Sequence, residues 1–263
     1  MAAEGYTRGR IEAEWRAVLA NRRDAPLGGL GAGEIESLYG PLCAIARGQS
    51  FAVAHLAQSL DGKIAAVNGT SRWISGEEDL CHTHRMRALA DAVVVGADTV
   101  LHDDPLLTVR RCSGTHPVRV VIDPERKLKA HHKVFTDRST RTIVIAAADG
   151  RNGADAPDVE TITLPREGSV IAPKAIKVAL AKGGLHWLFI EGGGVTISNF
   201  LREGCLDRLQ ITVAPVILGS GRPSITLPPI SEPGLGLRPQ MRRLSLGADT
   251  LFECIFGPTE IND

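Results

Sequence analysis

The chain has 263 residues and carries 30 Lys and Arg against 30 Asp and Glu, so its formal net charge is zero. That balance supplies no general attraction to nucleic acid or to an anionic membrane, and any anionic partner must be held by a few placed basic groups. A hydrophobic fraction of 43% can bury a sizeable core, which excludes wholesale disorder, and the length allows one large α/β domain or two small ones.

Residues 1–48 differ from the rest. Ile11, Trp15, Val18 and Leu19 recur at helical spacing, and Gly28-Gly29-Leu30-Gly31-Ala32-Gly33 then breaks the chain. This predicts a short helical N-terminal extension with a glycine-rich loop. A helix of that length is marginal alone, so it must dock on the remaining residues or on a partner subunit. Residues 1–10 show no apolar core of secretory type, and Glu4 and Glu12 do not suit an Arg-rich transit peptide. Cys43, Cys81, Cys112, Cys205 and Cys254 are odd in number and scattered, with no Cys-x-x-Cys. Neither a disulfide framework nor a zinc site is expected from them, and a reducing cytoplasm fits. The longest apolar runs, 92–96 and 142–148, are strand-sized, far short of a membrane span.

From residue 49 to residue 263 strand and helix signals alternate. Strands are predicted at 51–56, 92–95, 118–122, 143–147, 159–164, 187–190 and 209–213, and a terminal hairpin at 243–246 and 250–256 around Gly247-Ala248-Asp249. Helices are predicted at 76–90, 173–181 and 195–203. The first opens with Ser75-Gly76-Glu77-Glu78, a capping-box pattern in which Ser75 and Glu78 satisfy each other's amides. Near-continuous apolar strands between helices predict one mixed, mostly parallel sheet flanked by helices, with antiparallel strands at its terminal edge. An open edge there predicts a homodimer.

Three stretches carry candidate chemistry. In 57–75 a strand runs into Ser59-Leu60-Asp61-Gly62 and a polar loop; it is either a ligand-binding strand end or an ordinary turn. In 91–110 the paired carboxylates of Asp103 and Asp104 can polarise a proton, bind a metal or bond a ribose hydroxyl, unless Asp-Pro merely starts a turn. No constellation has metal-ligand spacing: His82 and His84 face different sides of a helix, and His131-His132 sits in a polar loop where solvation is expected. In 187–200 a buried strand ends at Glu191, Gly192-Gly193-Gly194 follow, and a helix begins. Glycines allow close backbone approach, and free helix N-terminal amides bind phosphate. Ser198 stands where a G-x-G-x-x-G fingerprint needs Gly, and no βαβ unit is expected to follow, so this is not the usual dinucleotide motif.

Together Ser59-Leu60-Asp61-Gly62-Lys63-Ile64-Ala65, Ser71-Arg72-Trp73-Ile74, Arg87-Ala88, Gly96-Ala97-Asp98-Thr99-Val100, the 103–110 segment, Val118–Asp123 and Glu191-Gly192-Gly193-Gly194 resemble the reductase domain of bacterial riboflavin biosynthesis. That domain is the C-terminal half of a bifunctional pyrimidine deaminase/reductase and has a dihydrofolate-reductase-like fold. The resemblance covers about 51–257. It implies hydride transfer from NADPH to C1′ of a phosphorylated ribosylaminopyrimidine, in that pathway 5-amino-6-(5-phosphoribosylamino)uracil, opening the sugar to a ribityl chain. It implies that Ala57, Trp73, Thr99, Asp103 and the turn Gly193, Gly194, Val195, Thr196, Ile197, Ser198 and Asn199 hold the cofactor. It further implies that Ser71, Arg87, Leu107, Arg110 and Glu191 face the substrate, with Glu191 and Asp103 as the candidate catalytic carboxylates. Arg87 and Arg110 are chemically able to fork onto a phosphate. Two features depart from the family: the deaminase motifs His-x-Glu and Pro-Cys-x-x-Cys are missing, and His55 stands where the family carries Lys. A related NADPH reductase of another pyrimidine or pteridine-like compound, or a non-catalytic NADP-binding subunit, are the alternative readings.

Overall fold

The computed structural model describes residues 2–20, 34–46, 48–71, 74–150 and 159–256. The predicted glycine-rich loop at 28–33 and Trp73 lie outside the described residues.

In chain order the elements are α1 (Ala2–Ala20), α2 (Glu34–Cys43), β1 (Phe51–Ser59), β2 (Lys63–Ala66), α3 (Glu77–Leu89), β3 (Ala92–Gly96), α4 (Ala97–Asp103), β4 (Val118–Ile122), α5 (Lys133–Thr136), β5 (Thr142–Ala147), β6 (Glu160–Leu164), α6 (Pro173–Lys182), β7 (Trp187–Glu191), α7 (Gly194–Arg202), β8 (Arg208–Ala214), β9 (Gly221–Pro223), β10 (Gln240–Leu246) and β11 (Asp249–Ile255). Among the described residues nine strands form one sheet in the order β10-β11-β8-β1-β7-β3-β4-β5-β6, and β2 pairs with β9 in a separate ribbon. All pairings from β8 across to β6 are parallel; β11 joins β8, and β10 joins β11, antiparallel. This is the mixed sheet with an antiparallel edge expected from the sequence.

Strand periodicity sorts the core into two layers. Phe51 and Val53 of β1 point to the side covered by Trp15, Val18, Leu38, Tyr39, Leu42, Met86 and Leu89. Ala52, Ala54 and Leu56 point to the other side, against Ile176, Leu180, Ile197 and Phe200. Val93, Val94 and Val95 are buried whichever way they point, which is why β3 reads as an unbroken apolar run. The extension docks on the first face, where Trp15 Nε1 donates to the Ser113 carbonyl at 2.8 Å.

Four expectations need correction. Ser75 and Glu78 form no capping box: the helix starts at Glu77 behind Gly76, with no side-chain cap. Ser75 Oγ donates to Asp79 Oδ2 at 2.7 Å, the Gly76 amide donates to Asp249 Oδ2, and the Glu78 carboxylate lies against Gly247 in the hairpin turn. A βαβ unit does follow the glycine turn, since β7-α7-β8 is a parallel crossover that passes over β1. Periodicity could not show it, because the strand lying between them comes far earlier in the chain. His132 is buried against Asp104, 3.5 Å from its Oδ1, instead of solvated. The extension holds a second helix, α2, whose Ile35, Leu38, Tyr39 and Leu42 stripe was obscured by Gly40-Pro41.

Candidate active site

After β3 the chain steps through β4, β5 and β6 toward one edge, while after β7 it crosses to β8 on the other side of β1. The sheet's topological switch point therefore lies between β7 and β3, where open α/β sheets bind ligands at their C-terminal ends. A cleft of about 1230 Å³ opens there. That exceeds the roughly 300–1,000 Å³ of a single-ligand pocket, so it has room for two small molecules.

One wall is backbone. Gly192 and Gly193 adopt φ 76° and 51°, a region that side chains disfavour, and they turn β7 into α7. α7 begins without a side-chain cap, so the first-turn amides have no intrahelical partners. Gly194 packs so tightly that a Cβ there would lie 2.4 Å from the Ser224 carbonyl oxygen. Ala57, Thr99, Asp103, Gly193, Gly194, Val195, Thr196 and Asn199 line the cleft. Ile197 and Ser198 do not. Ile197 is fully buried under the sheet, and Ser198 Oγ donates to the Gly194 carbonyl at 2.5 Å and accepts from the Thr226 amide at 2.9 Å.

The other wall is made of side chains. Glu191, the last residue of β7, takes a bidentate contact from buried Arg87, Nε to Oε2 at 2.7 Å and Nη2 to Oε1 at 2.5 Å. Arg87 Nη1 donates to the Thr108 carbonyl at 2.9 Å. The fork of Arg87 is thus taken up by Glu191 instead of facing the cleft as a free phosphate ligand. Arg110 is exposed at the cleft, with Nη1 bonded to Thr108 Oγ1 at 2.7 Å. Its amide donates to Nδ1 of His84 at 2.9 Å, and burial together with the nearby charges of Arg87 and Arg110 lowers the His84 pKa to about 4, so this imidazole is neutral at physiological pH. Ser71 Oγ reaches Asp103 Oδ1 at 3.3 Å, joining a residue expected at the substrate to one expected at the cofactor. Leu107 is displaced from its expected role: at φ 55° its side chain is 1% exposed and packed in the core, not in the cleft wall.

The paired carboxylates part company. Asp103 lines the cleft, whereas Asp104 caps α4 in a left-handed conformation and accepts the Lys133 amide at 2.8 Å. The Ser59-Leu60-Asp61-Gly62 segment is a structural turn. Ser59 Oγ donates to Asp61 Oδ1, whose carboxylate also takes the Leu218 and Gly219 amides; the serine bond and these amides lower the Asp61 pKa to about 2. Among the described residues no group of three or more His, Cys, Asp and Glu could hold a metal ion.

Sequence reasoning missed Asp79. Strand register places Glu191 beside His55 and His55 beside Gln210, with Glu253 next on β11 and Arg242 on β10, so a polar row crosses five strands on one face. His55 Nε2 lies 3.2 Å from Asp79 Oδ1, both residues are buried, and both line the cleft. Burial opposes charge on Asp79, but the His55 interaction and hydrogen bonds from Ser75 and Thr212 outweigh it and hold the carboxyl well below its usual range. No spacing rule links residues 55 and 79; the Glu77-Glu78-Asp79 run reads simply as a favourable acidic first turn.

The switch-point cleft of this mixed α/β sheet thus joins a glycine-built helix terminus to an arginine-clamped carboxylate. The chain belongs to the RibD C-terminal domain family, whose profile matches residues 51–249. It is 34% identical over 217 residues to a protein of Methanothermobacter thermautotrophicus named 2,5-diamino-6-ribosylamino-4(3H)-pyrimidinone 5′-phosphate reductase, covering 77% of this chain and 96% of that one. It is 37% identical over 166 residues to the riboflavin biosynthesis protein RibD of Aquifex aeolicus, covering 63% of this chain and 46% of that protein. The chain thus spans about half the length of that RibD relative. A crystal structure of the deaminase/reductase of Thermotoga maritima superposes with TM-score 0.69 at 27% identity, covering 84% of this chain and 61% of the other.

Proposed function

We propose that this chain reduces the ribosyl group of a phosphoribosylaminopyrimidine to a ribityl chain with NADPH, as a step of riboflavin biosynthesis. The observation that carries the reading is the Glu191-Gly192-Gly193-Gly194 turn, which sets a clamped carboxylate next to a capless helix terminus in one cleft. The cradle at Gly194, which a single Cβ would fill, suits close backbone approach by a dinucleotide pyrophosphate. The Gly194, Val195 and Thr196 amides would hold that group, with Ala57, Thr99 and Asp103 along the remaining cofactor wall. When bound, the nicotinamide supplies the hydride.

The protein's own part is placement. Arg110 holds the substrate phosphate at the mouth. Glu191, fixed by Arg87, has lone pairs left to accept sugar or base N–H and O–H groups and so orients the acceptor carbon. Preference for NADPH over NADH rests on the family resemblance, and a homodimer on the open β10 edge. Among the described residues no helix is long and apolar enough to cross a membrane.

The test is a spectrophotometric assay of the purified chain with NADPH against amino-bearing and uracil-type phosphoribosylaminopyrimidines. Turnover of at least one supports the reading. NADPH binding without turnover of any would favour the binding-subunit alternative, and equal kcat/KM for NADH would overturn the cofactor preference.

A further inference from the structure

The family match begins at residue 51, yet α2 inserts a fully buried Tyr39 ring into the core. Its Oη lies 2.7 Å from Nδ1 of His82, and Nε2 of His82 lies 2.9 Å from Oε1 of Gln210. The direction of these bonds follows from the far end of the row. Glu253 is fully buried and ion-paired with Arg208 at 3.0 Å and with Arg242, so it is a carboxylate that only accepts. Gln210 must therefore present its amide nitrogen to Glu253, 3.2 Å away, and its oxygen to His82. His82 donates from Nε2, and the Tyr39 hydroxyl donates to Nδ1.

The His82 ring then meets the His55 ring edge-on, with centroids 5.1 Å apart and planes at 77°, and His55 faces Asp79 in the cleft wall. We propose that Tyr39 and His82 are positioning residues of the active site, through which the N-terminal extension fixes the His55–Asp79 pair. With Nε2–H committed to Gln210 and Nδ1 accepting from Tyr39, a second proton on His82 would have to reverse the Tyr39 hydrogen bond inside the core. A cation beside His55 is thereby disfavoured, and the ring edge that braces it is held against rotation. Burial and the neighbouring His55 charge act the same way, lowering the His82 pKa to about 3. The polar groups around His55 are Asp79 and His82 from α3, Glu191 from β7 and Gln210 from β8; Phe189 of β7 stacks on its ring at 6.3 Å.

The kinetic part of the test rests on the reductase reading, and the spectroscopic part does not. Full-length protein with ¹⁵N-labelled imidazoles would be compared with Tyr39→Phe and with Val18→Ala, which loosens the same extension without touching the hydroxyl. In the parent, His82 should show the Nε2–H tautomer without titrating between about pH 6 and 8. Tyr39→Phe should shift the His82 Nδ1 resonance by removing its hydrogen bond, shift the His55 resonances and raise substrate KM by roughly three- to ten-fold with NADPH affinity unchanged. Val18→Ala should lower Tm and leave the His55 resonances and KM alone. A parent His82 that titrates near neutrality, or holds the Nδ1–H tautomer, overturns the proposal whether or not the variants fold. So does a folded Tyr39→Phe protein with parental His55 resonances and KM. A parent that turns over no substrate sinks the reductase reading instead, while the imidazole spectra still decide this one.

Discussion

The two walls of the cleft are built from different materials. At the β7–α7 turn the ligand-facing groups are amides of consecutive residues, and the constraint is steric: Gly194 has the Ser224 carbonyl where a side chain would begin. Opposite it the groups are side chains from separate elements, with Arg87 and Asp79 on α3, Glu191 on β7 and His55 on β1, and the constraint is electrostatic satisfaction. The contrast teaches that the glycine wall should tolerate little change of shape, whereas the charged wall should tolerate little change of charge.

The largest effect should come from shape. Gly194→Ala puts a Cβ against backbone oxygens that cannot rotate away, so NADPH Kd in a fluorescence titration should rise at least about a hundred-fold, or about 3 kcal/mol. An unchanged Kd would show that this turn does not hold the cofactor. Glu191→Gln keeps shape and removes charge. It should lower kcat by about a hundred-fold and leave NADPH Kd alone, with about 1–3 kcal/mol of stability lost because Arg87 remains buried without its counter-charge. Arg110→Ala should raise substrate KM roughly ten- to a hundred-fold, the value of one charge-assisted phosphate contact, again sparing NADPH. If both of these variants lose NADPH affinity and keep KM, the two walls have been assigned the wrong way round.

The charged wall should also make stability fall with acid. His84 and His82 have folded pKa values lowered to about 4 and about 3, below the ordinary 6.5, so the unfolded chain binds protons first. Stability is full above about pH 6.5 and declines as pH falls toward these folded values, where the loss levels off. Urea midpoints across that range should drop, and His84→Gln should flatten the decline above pH 4; a level profile in the parent would contradict the burial of neutral imidazoles. The smallest expected effect is none: EDTA should leave turnover intact, and restoration of lost activity by zinc would require a metal-ligand group not found among the described residues.

How legible each wall was follows the same division. Glu191 and the three glycines are adjacent in sequence, and strand, glycine and helix signals lie in one stretch, so the turn itself could be inferred from local conformation alone. Asp103 and Asp104 look equivalent in sequence, but a left-handed Asp104 sends one carboxylate to the Lys133 amide and leaves the other in the cleft. Arg87 and Arg110 both read as phosphate ligands, and only the meeting of α3 with the end of β7 committed one of them to Glu191.

By itself the sequence determined the alternation of elements, the apolar strands buried on both faces, the terminal antiparallel pair and the glycine turn, because each depends on periodicity or backbone freedom within a few residues. The tertiary structure alone decided the crossover of β7 to β8 over β1, and with it the register that aligns Glu191, His55, Gln210, Glu253 and Arg242 across five strands. It also decided that Tyr39, from outside the matched domain, closes this row through His82. Buried polar groups must find partners wherever packing brings them, and partners chosen by strand register leave no spacing rule along the chain.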